Sequence, residues 1–308
     1  MMGELTYFLR LQVKQLKHGT FLSHSKYCFD LLKKFKMDDC KEAAIPIAIN
    51  FLMDGDEAWN QVDSTKYRGL IGSLLYLTAS RPDIQFGVCL CARFQSNPKE
   101  SPFKAAKRIL KHLKGTTNVG LWYPNESNIV LSGFSNFDYA GCKLDRKSIS
   151  GTCHLLGSSL ITWNSKKQAC VALSTAEVEY IAAGHACAQS IWLKHQLMDY
   201  GVKLEKVPLY YDNTSEINLT KIPIQHSKTK HIEIQHNFIR DHIQKGDIEI
   251  MFVKTENQLA DLFTKPLASD RFNKLRIELG VLDDEGLTPT KDGGKCLRRL
   301  SMFRKEVH

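Results

Sequence analysis

The chain changes character once, near residue 120, and that change limits the folds open to it. From Ser64 to Gly115 the apolar residues recur at helical spacing. One helix is expected over roughly 65–79. Ser80 and Pro82 open a second, with proline at an early helical position. Ser101 and Pro102 open a third, "SPFKAAKRILKHLKG", which Gly115 closes. After "LWYP" the pattern becomes that of strands. Residues 128–136 read as one strand, and "GTCHLLGSSLITWNSKK" as two more joined at Gly157–Ser158. Then come a long helix over 175–199, a strand at "VPLYYD", a short helix over 213–220, and a basic helix over 228–244. A strand at "DIEIMFVK" and a short helix over 256–264 complete the series. This β-β-β-α-β-α-α-β-α order predicts an α/β domain, a mixed sheet with helices packed on it.

Upstream, residues 6–13 alternate, and "KHG" at 17–19 turns the chain into "TFLS", a hairpin. Phe29, Leu32 and Phe35 then mark a short helix with lysines between them. Residues 41–62 read as an irregular linker. The segment after Gly280 is polar and basic and is expected to be loose.

Lys and Arg number 42 against 33 Asp and Glu, a formal net charge of +9. An excess of that size suggests a polyanionic partner, most simply nucleic acid; a basic soluble enzyme is the alternative. The third helix carries Lys104, Lys107, Arg108, Lys111 and Lys114 with no acid after Glu100, which favours phosphate contact over a merely solvated face. In "DRKSISG", Arg146, Lys147 and Ser148 sit in a turn that can touch a phosphate, with a plain solvated turn as the alternative. The nine cysteines are scattered and lack a C-x-x-C pair, so neither a disulfide framework nor a zinc site is indicated, and a reducing, intracellular compartment is expected. No window holds 18 uncharged apolar residues, so no membrane span is expected, and Glu4 and Arg10 break any signal-peptide run. His226, His231, His236 and His242 lie five, five and six apart, not at the three- or four-residue steps of helical metal pairs.

Carboxylates stand at four telling places. Asn136 and Asp138 end the first strand of the α/β series. Ser174 and Glu177 in "LSTAEVEYIAAG" form a capping box, which gives Glu177 a structural task. Glu179, about 200° further round the helix, is then the residue free to face the sheet. Asp212 ends "VPLYYD", where a helix N-cap is the plain alternative. Asp261 lies a turn and a half inside a helix opened by Thr255 and Gln258, where an exposed carboxylate is the plain alternative. Clustered carboxylates of this kind hold two magnesium ions about 4 Å apart and hydrolyse phosphodiesters.

At these residues the chain resembles the C-terminal part of the Pol polyprotein of plant copia-type LTR retrotransposons. The stretches that carry the resemblance are "YRGLIGSLLYLTASRPDI", "KRILKHLKGTTNVGLWYP", "DYAGCKLDRKSISG", "LSTAEVEYIAA", "YYDNTSEINL", "SKTKHIEIQHNFIRD" and "NQLADLFTKPL", in the family's order over about residues 1–280. The resemblance implies a partial palm hairpin and linker of reverse transcriptase over 1–62 and a helical thumb or connection region over 63–118. It implies a ribonuclease H-like domain over 119–268 and a basic tail over 269–308. The implied activity is magnesium-dependent cleavage of RNA in RNA–DNA hybrids, with two Mg2+ ions and with nucleic acid and the polymerase half of Pol as partners. The implied location is cytoplasmic, in virus-like particles, or nuclear. The family's four acids fall on Asn136, Glu179, Asp212 and Asp261, with Asp138 a further candidate metal ligand. Lys104, Lys107, Arg108, Lys111, Arg146, Lys147, Lys228 and Lys230 are the candidate nucleic-acid contacts.

Three departures matter. The family writes Ser-Asp-Ala-Asp where this chain has Ser135-Asn136-Phe137-Asp138, so an impaired nuclease, or a non-catalytic nucleic-acid-binding remnant, is expected. Arg10 stands where the family usually has glycine. The final 28 residues do not align. Asp38 and Asp39 in "KMDDCK" imitate the polymerase Asp-Asp pair but follow a Lys-rich helix rather than sitting in a hairpin; the family's motif lies upstream of Met1, so no polymerase activity is expected.

Overall fold

The structure is a computed structural model. It describes residues 5–49, 51, 60–125, 129–141, 145–172, 174–213 and 230–287, with the backbone alone at 176, 230–236, 285 and 286. It divides into two compact units, 1–125 with 266–308, and 126–265.

In the first unit, β1 (Tyr7–Phe8), β2 (Leu11–Leu16) and β3 (Gly19–Ser23) form an antiparallel meander. Leu9 and Arg10 make the first turn with φ of 48° and 62°. That left-handed conformation is cheapest for glycine, yet Leu9 and Arg10 adopt it here. The helices α1 (Ser25–Lys34), α2 (Ser64–Leu77), α3 (Gln85–Ala92) and α4 (Glu100–Lys114) follow. Asp63 caps α2 by accepting from the Thr65 and Lys66 amides. The apolar faces of these helices close one core around Leu70, Leu74, Ile84, Ile109 and Leu113. Beneath it Arg81 and Asp83 are both fully buried and paired at 2.7 Å, with His112 Nε2 3.3 Å from the same carboxylate. Arg81 also donates to the Thr116 carbonyl and hydroxyl, so its guanidinium is well satisfied.

The strand β4 (Val119–Pro124) pairs with β3 and is therefore part of this unit. The second unit then begins, with β5 (Leu131–Asp138), β6 (Ile149–Leu156) and β7 (Ser159–Lys167) as an antiparallel series. A 25-residue helix α5 (Thr175–Asp199) leads to β8 (Val207–Tyr211), which lies parallel to β5. The helix α6 (Lys230–Gln244) leads to β9 (Ile248–Phe252), parallel to β8. The sheet order is β7-β6-β5-β8-β9. This mixed five-stranded sheet with its helices is the α/β architecture expected from the sequence. His154 on β6 is buried between Thr162 of β7 and Ser190 of α5, at 3.0 and 2.9 Å, and ties the helix to the sheet.

The chain then returns to the first unit as α7 (Ser269–Glu278) and β10 (Val281–Asp283). Residues 281–283 were expected to be loose; they are a strand paired with β4, and Val281 and Leu282 are buried in it. The second compact unit runs over 126–265. The expected helix over 213–220, and residues 288–308, lie outside the described residues.

Candidate active site

Two parallel strands end at the same edge of the second unit's sheet, and the candidate residues gather there. Gly133 pairs with Leu209 and Phe134 with Tyr210. Continuing that register puts Asp212, just past β8, beside Asn136 on β5. The crevice outside the carboxyl ends of parallel strands is where open α/β sheets bind ligands. β5 was expected to end at 136, short of the Gly141 turn. It runs on through Asp138, which pairs with Ile149. Asn136 and Asp138 therefore share a face of the sheet.

That face is covered by the segment carrying Asp261. The helix expected over 256–264 is instead two 3-10 turns, Thr255–Asn257 and Leu259–Phe263. Gln258 breaks the helix and caps the second turn: its Oε1 accepts from the Ala260 amide and its Nε2 donates to the Ser135 carbonyl at 3.1 Å. The turn can sit close because β6 has Gly151 opposite Asn136. A β-carbon there would meet Thr264 Cγ2 at 2.7 Å and the Ala260 carbonyl at 2.8 Å. Asp261 is wholly buried, not the exposed helical carboxylate that its position in sequence favoured.

The amide of Asn136 lies between two partners. Its Nδ2 donates to Oδ1 of Asp261. Its Oδ1 accepts from the Phe137 amide at 2.7 Å. The Lys265 ammonium lies 2.9 Å from the same Asp261 oxygen. Asp138 has its pKa raised, chiefly by burial, with Lys265 opposing and Asp261 adding to the rise. Those two influences put Asp138 within electrostatic reach of both.

Glu177 and Glu179 both prove buried. The Ser174 hydroxyl caps α5 by accepting from the Glu177 amide at 3.2 Å, as the capping box required. Glu179 Oε1 accepts from Asn213 Nδ2 at 2.6 Å, which ties the helix to the residue after Asp212. Burial raises the Glu179 pKa and the Asn213 hydrogen bond opposes that rise. Asp212 itself is half-buried at the strand end.

The structure thus unites Asn136 with Asp261, and Glu179 with the chain beside Asp212. Gly151, Asn213, Gln258 and Lys265 were not singled out from sequence. Lys265 was detectable as the i+4 partner of Asp261, and Asn213 by adjacency to Asp212. Of the candidate phosphate contacts, Lys104 and Lys107 are exposed on α4, and Arg108 and Lys111 half-buried. Lys104 shares its charge with Glu100 at 2.7 Å, and Lys107 lies over the Phe103 ring. Lys114 differs, its ammonium donating to the Cys40 carbonyl. Arg146 is exposed, whereas Lys147 donates to the Ala169 carbonyl. Ser148 is buried and accepts from the Ala140 amide, so it shapes the turn rather than facing a phosphate. Lys228 lies outside the described residues, and Lys230 is described only as the first residue of α6.

The donor set does not fit the pair of magnesium ions expected. Among the described residues, no three His, Cys, Asp or Glu side chains are arranged to hold a metal. Asp261 Oδ1 is taken by an amide N–H and an ammonium. An N–H is a donor and cannot be a ligand.

The chain is 36% identical over 279 residues to the retrovirus-related Pol polyprotein from transposon RE1 of Arabidopsis thaliana, a match over 90% of this chain and 19% of that protein. It is 32% identical over 268 residues to the same kind of polyprotein from transposon TNT 1-94 of Nicotiana tabacum, over 85% of this chain and 20% of that one. The chain belongs to the plant retrotransposon Pol polyprotein family. It spans about a fifth of the length of these curated Pol relatives. No protein-family model matches it. Among solved structures, the N-terminal RNase H domain of rv2228c from Mycobacterium tuberculosis aligns with 48% of this Pol chain and 96% of its own, at 10% identity and a TM-score of 0.33. So distant a likeness carries no further argument.

Proposed function

We propose that the second unit is a ribonuclease H-type domain that binds RNA–DNA hybrid, and that its magnesium-dependent cleavage of the RNA strand is severely impaired. Asn136, Glu179, Asp212 and Asp261 are its catalytic positions, with Asp138 as neighbour. The first unit is the end of the reverse transcriptase palm with the connection region, and it supplies no polymerase activity. The observation that supports this reading is the hydrogen bond from Asn136 to Asp261. It joins the first and last catalytic positions directly, but through a neutral amide that brings no charge. Losing ~4 kcal/mol of transition-state stabilisation in this way slows hydrolysis on the order of 10³-fold.

The test compares native, Asn136→Asp and Asp138→Asn chains on a labelled hybrid with magnesium. Asn136→Asp should cleave on the order of 10³-fold faster than native. Full native activity that vanishes in Asp138→Asn would show that Asp138, which the longer strand puts on the same face, replaces Asn136. The self-neutralised Asp261 also favours a second reading, a nucleic-acid-binding remnant without catalysis. Binding of hybrid by Asn136→Asp without any cleavage would select it.

A further inference from the structure

The sheet of the second unit ends on one side at β9, and that edge lacks the usual guards against strand pairing. Natural edge strands are blunted by lysine, proline or a bulge. The opposite edge has such features: β7 carries Lys166 and Lys167, and its pairing with β6 slips between His154 and Leu155. β9 reads Ile248-Glu249-Ile250-Met251-Phe252, in unbroken register with β8 and with neither lysine nor proline. Among the described residues no strand pairs with its outer side. The Asp247 carbonyl accepts from the Val207 amide at 3.0 Å, and the Val253 amide donates to the Tyr211 carbonyl at 2.8 Å. Main-chain groups alternate along a strand, so Ile248, Ile250 and Phe252 turn theirs outward. Met251 and Phe252 are 37% and 49% exposed.

The order of these residues fits one occupant. A second copy, running antiparallel about a two-fold axis through Ile250, overlaps all five. Outward-facing residues then meet as hydrogen-bonded pairs, Ile250 with the partner's Ile250 and Ile248 with the partner's Phe252. Glu249 meets the partner's Met251, so no like charges are opposed. The half-exposed Phe252 gains an apolar neighbour. An axis through Glu249 would instead oppose two carboxylates. The strand is thus self-complementary in the register of greatest overlap, which is what a two-fold contact needs. We propose that β9 is the interface through which two copies of this chain join their five-stranded sheets edge to edge. The proposal is independent of the nuclease reading.

The experiment follows the full chain by sedimentation equilibrium at micromolar concentration, for native, Met251→Glu, Met251→Glu/Glu249→Lys and Phe252→Pro. The native chain should be a dimer. Met251→Glu opposes carboxylates twice per dimer and should raise the dissociation constant about tenfold or more. Adding Glu249→Lys turns each clash into an opposite-charge pair and should restore the native constant. Phe252→Pro removes an outward amide and leaves the donors to β8 in place, so it should be monomeric and still folded by circular dichroism. A monomeric native chain overturns the proposal. So does a dimer that Met251→Glu leaves unchanged, or one weakened by Met251→Glu that Glu249→Lys does not restore. Should Met251→Glu fail to fold, Phe252→Pro decides: a folded monomer supports the proposal and a native-like dimer overturns it.

Discussion

The carbonyl of Ala260 lies so close over Gly151 that a β-carbon on that glycine would come within 2.8 Å of it. Gly151 pairs with Asn136 on the neighbouring strand, so one missing side chain sets the height at which Asp261 sits above Asn136.

Replacing that glycine should therefore act on the site through the backbone. Gly151→Val is expected to destabilise the second unit by about 1–3 kcal/mol, the usual cost of overpacking. It should also cut the cleavage gained by Asn136→Asp by about 10²-fold, the cost of a displacement of about 1 Å. Urea unfolding followed by far-UV circular dichroism, alongside the hybrid assay, measures both. An Asn136→Asp/Gly151→Val protein with undiminished cleavage would refute the argument.

His154 makes the second unit sensitive to acid. Burial lowers its pKa to about 4, with the Ala186 backbone working weakly the other way. The unfolded chain, at the ordinary histidine value, takes up a proton that the folded chain refuses. Stability is fully present above about pH 6.5 and falls towards pH 4, by about 3 kcal/mol in all. Melting temperature measured between pH 7.5 and 4.5 should show this fall, and it should be shallower in His154→Gln.

The buried Arg81–Asp83 pair governs the first unit. Burial acts to raise the Asp83 pKa, but the guanidinium and the His112 contact outweigh it and hold the carboxyl below its usual range. Asp83→Ala leaves a buried guanidinium unpaired and should cost about 3–5 kcal/mol. Denaturant unfolding checks this. A loss under about 1 kcal/mol would match a surface pair instead.

Nucleic-acid binding should weaken with salt through α4. Lys107, Arg108 and Lys111 each add about one unit of slope to the dependence of log affinity on log salt. The triple alanine variant should bind hybrid with a slope smaller by about three. An unchanged slope would place the contacts elsewhere.

The types and order of most of the described elements were legible in the sequence because periodicity, caps and turn residues are local properties. The hairpin at residues 17–19, the Ser174 cap and the Gly157–Ser158 turn all stand where their residues predicted. The spacing of Asn136, Glu179, Asp212 and Asp261 along those elements was equally visible, as was the amide in place of the first acid. What the sequence left open was decided by approach. Gln258 broke an expected helix because its side chain found the Ser135 carbonyl, 123 residues away. β5 outran its expected end because β6 supplied a partner for Asp138. Residues 281–283 became a strand because β4 offered an edge. Asp261 was an unremarkable helical carboxylate until Gly151 let it be buried against Asn136, 125 residues distant, with Lys265 for its charge. Such contacts depend on which surfaces the fold brings together, and no local pattern encodes them.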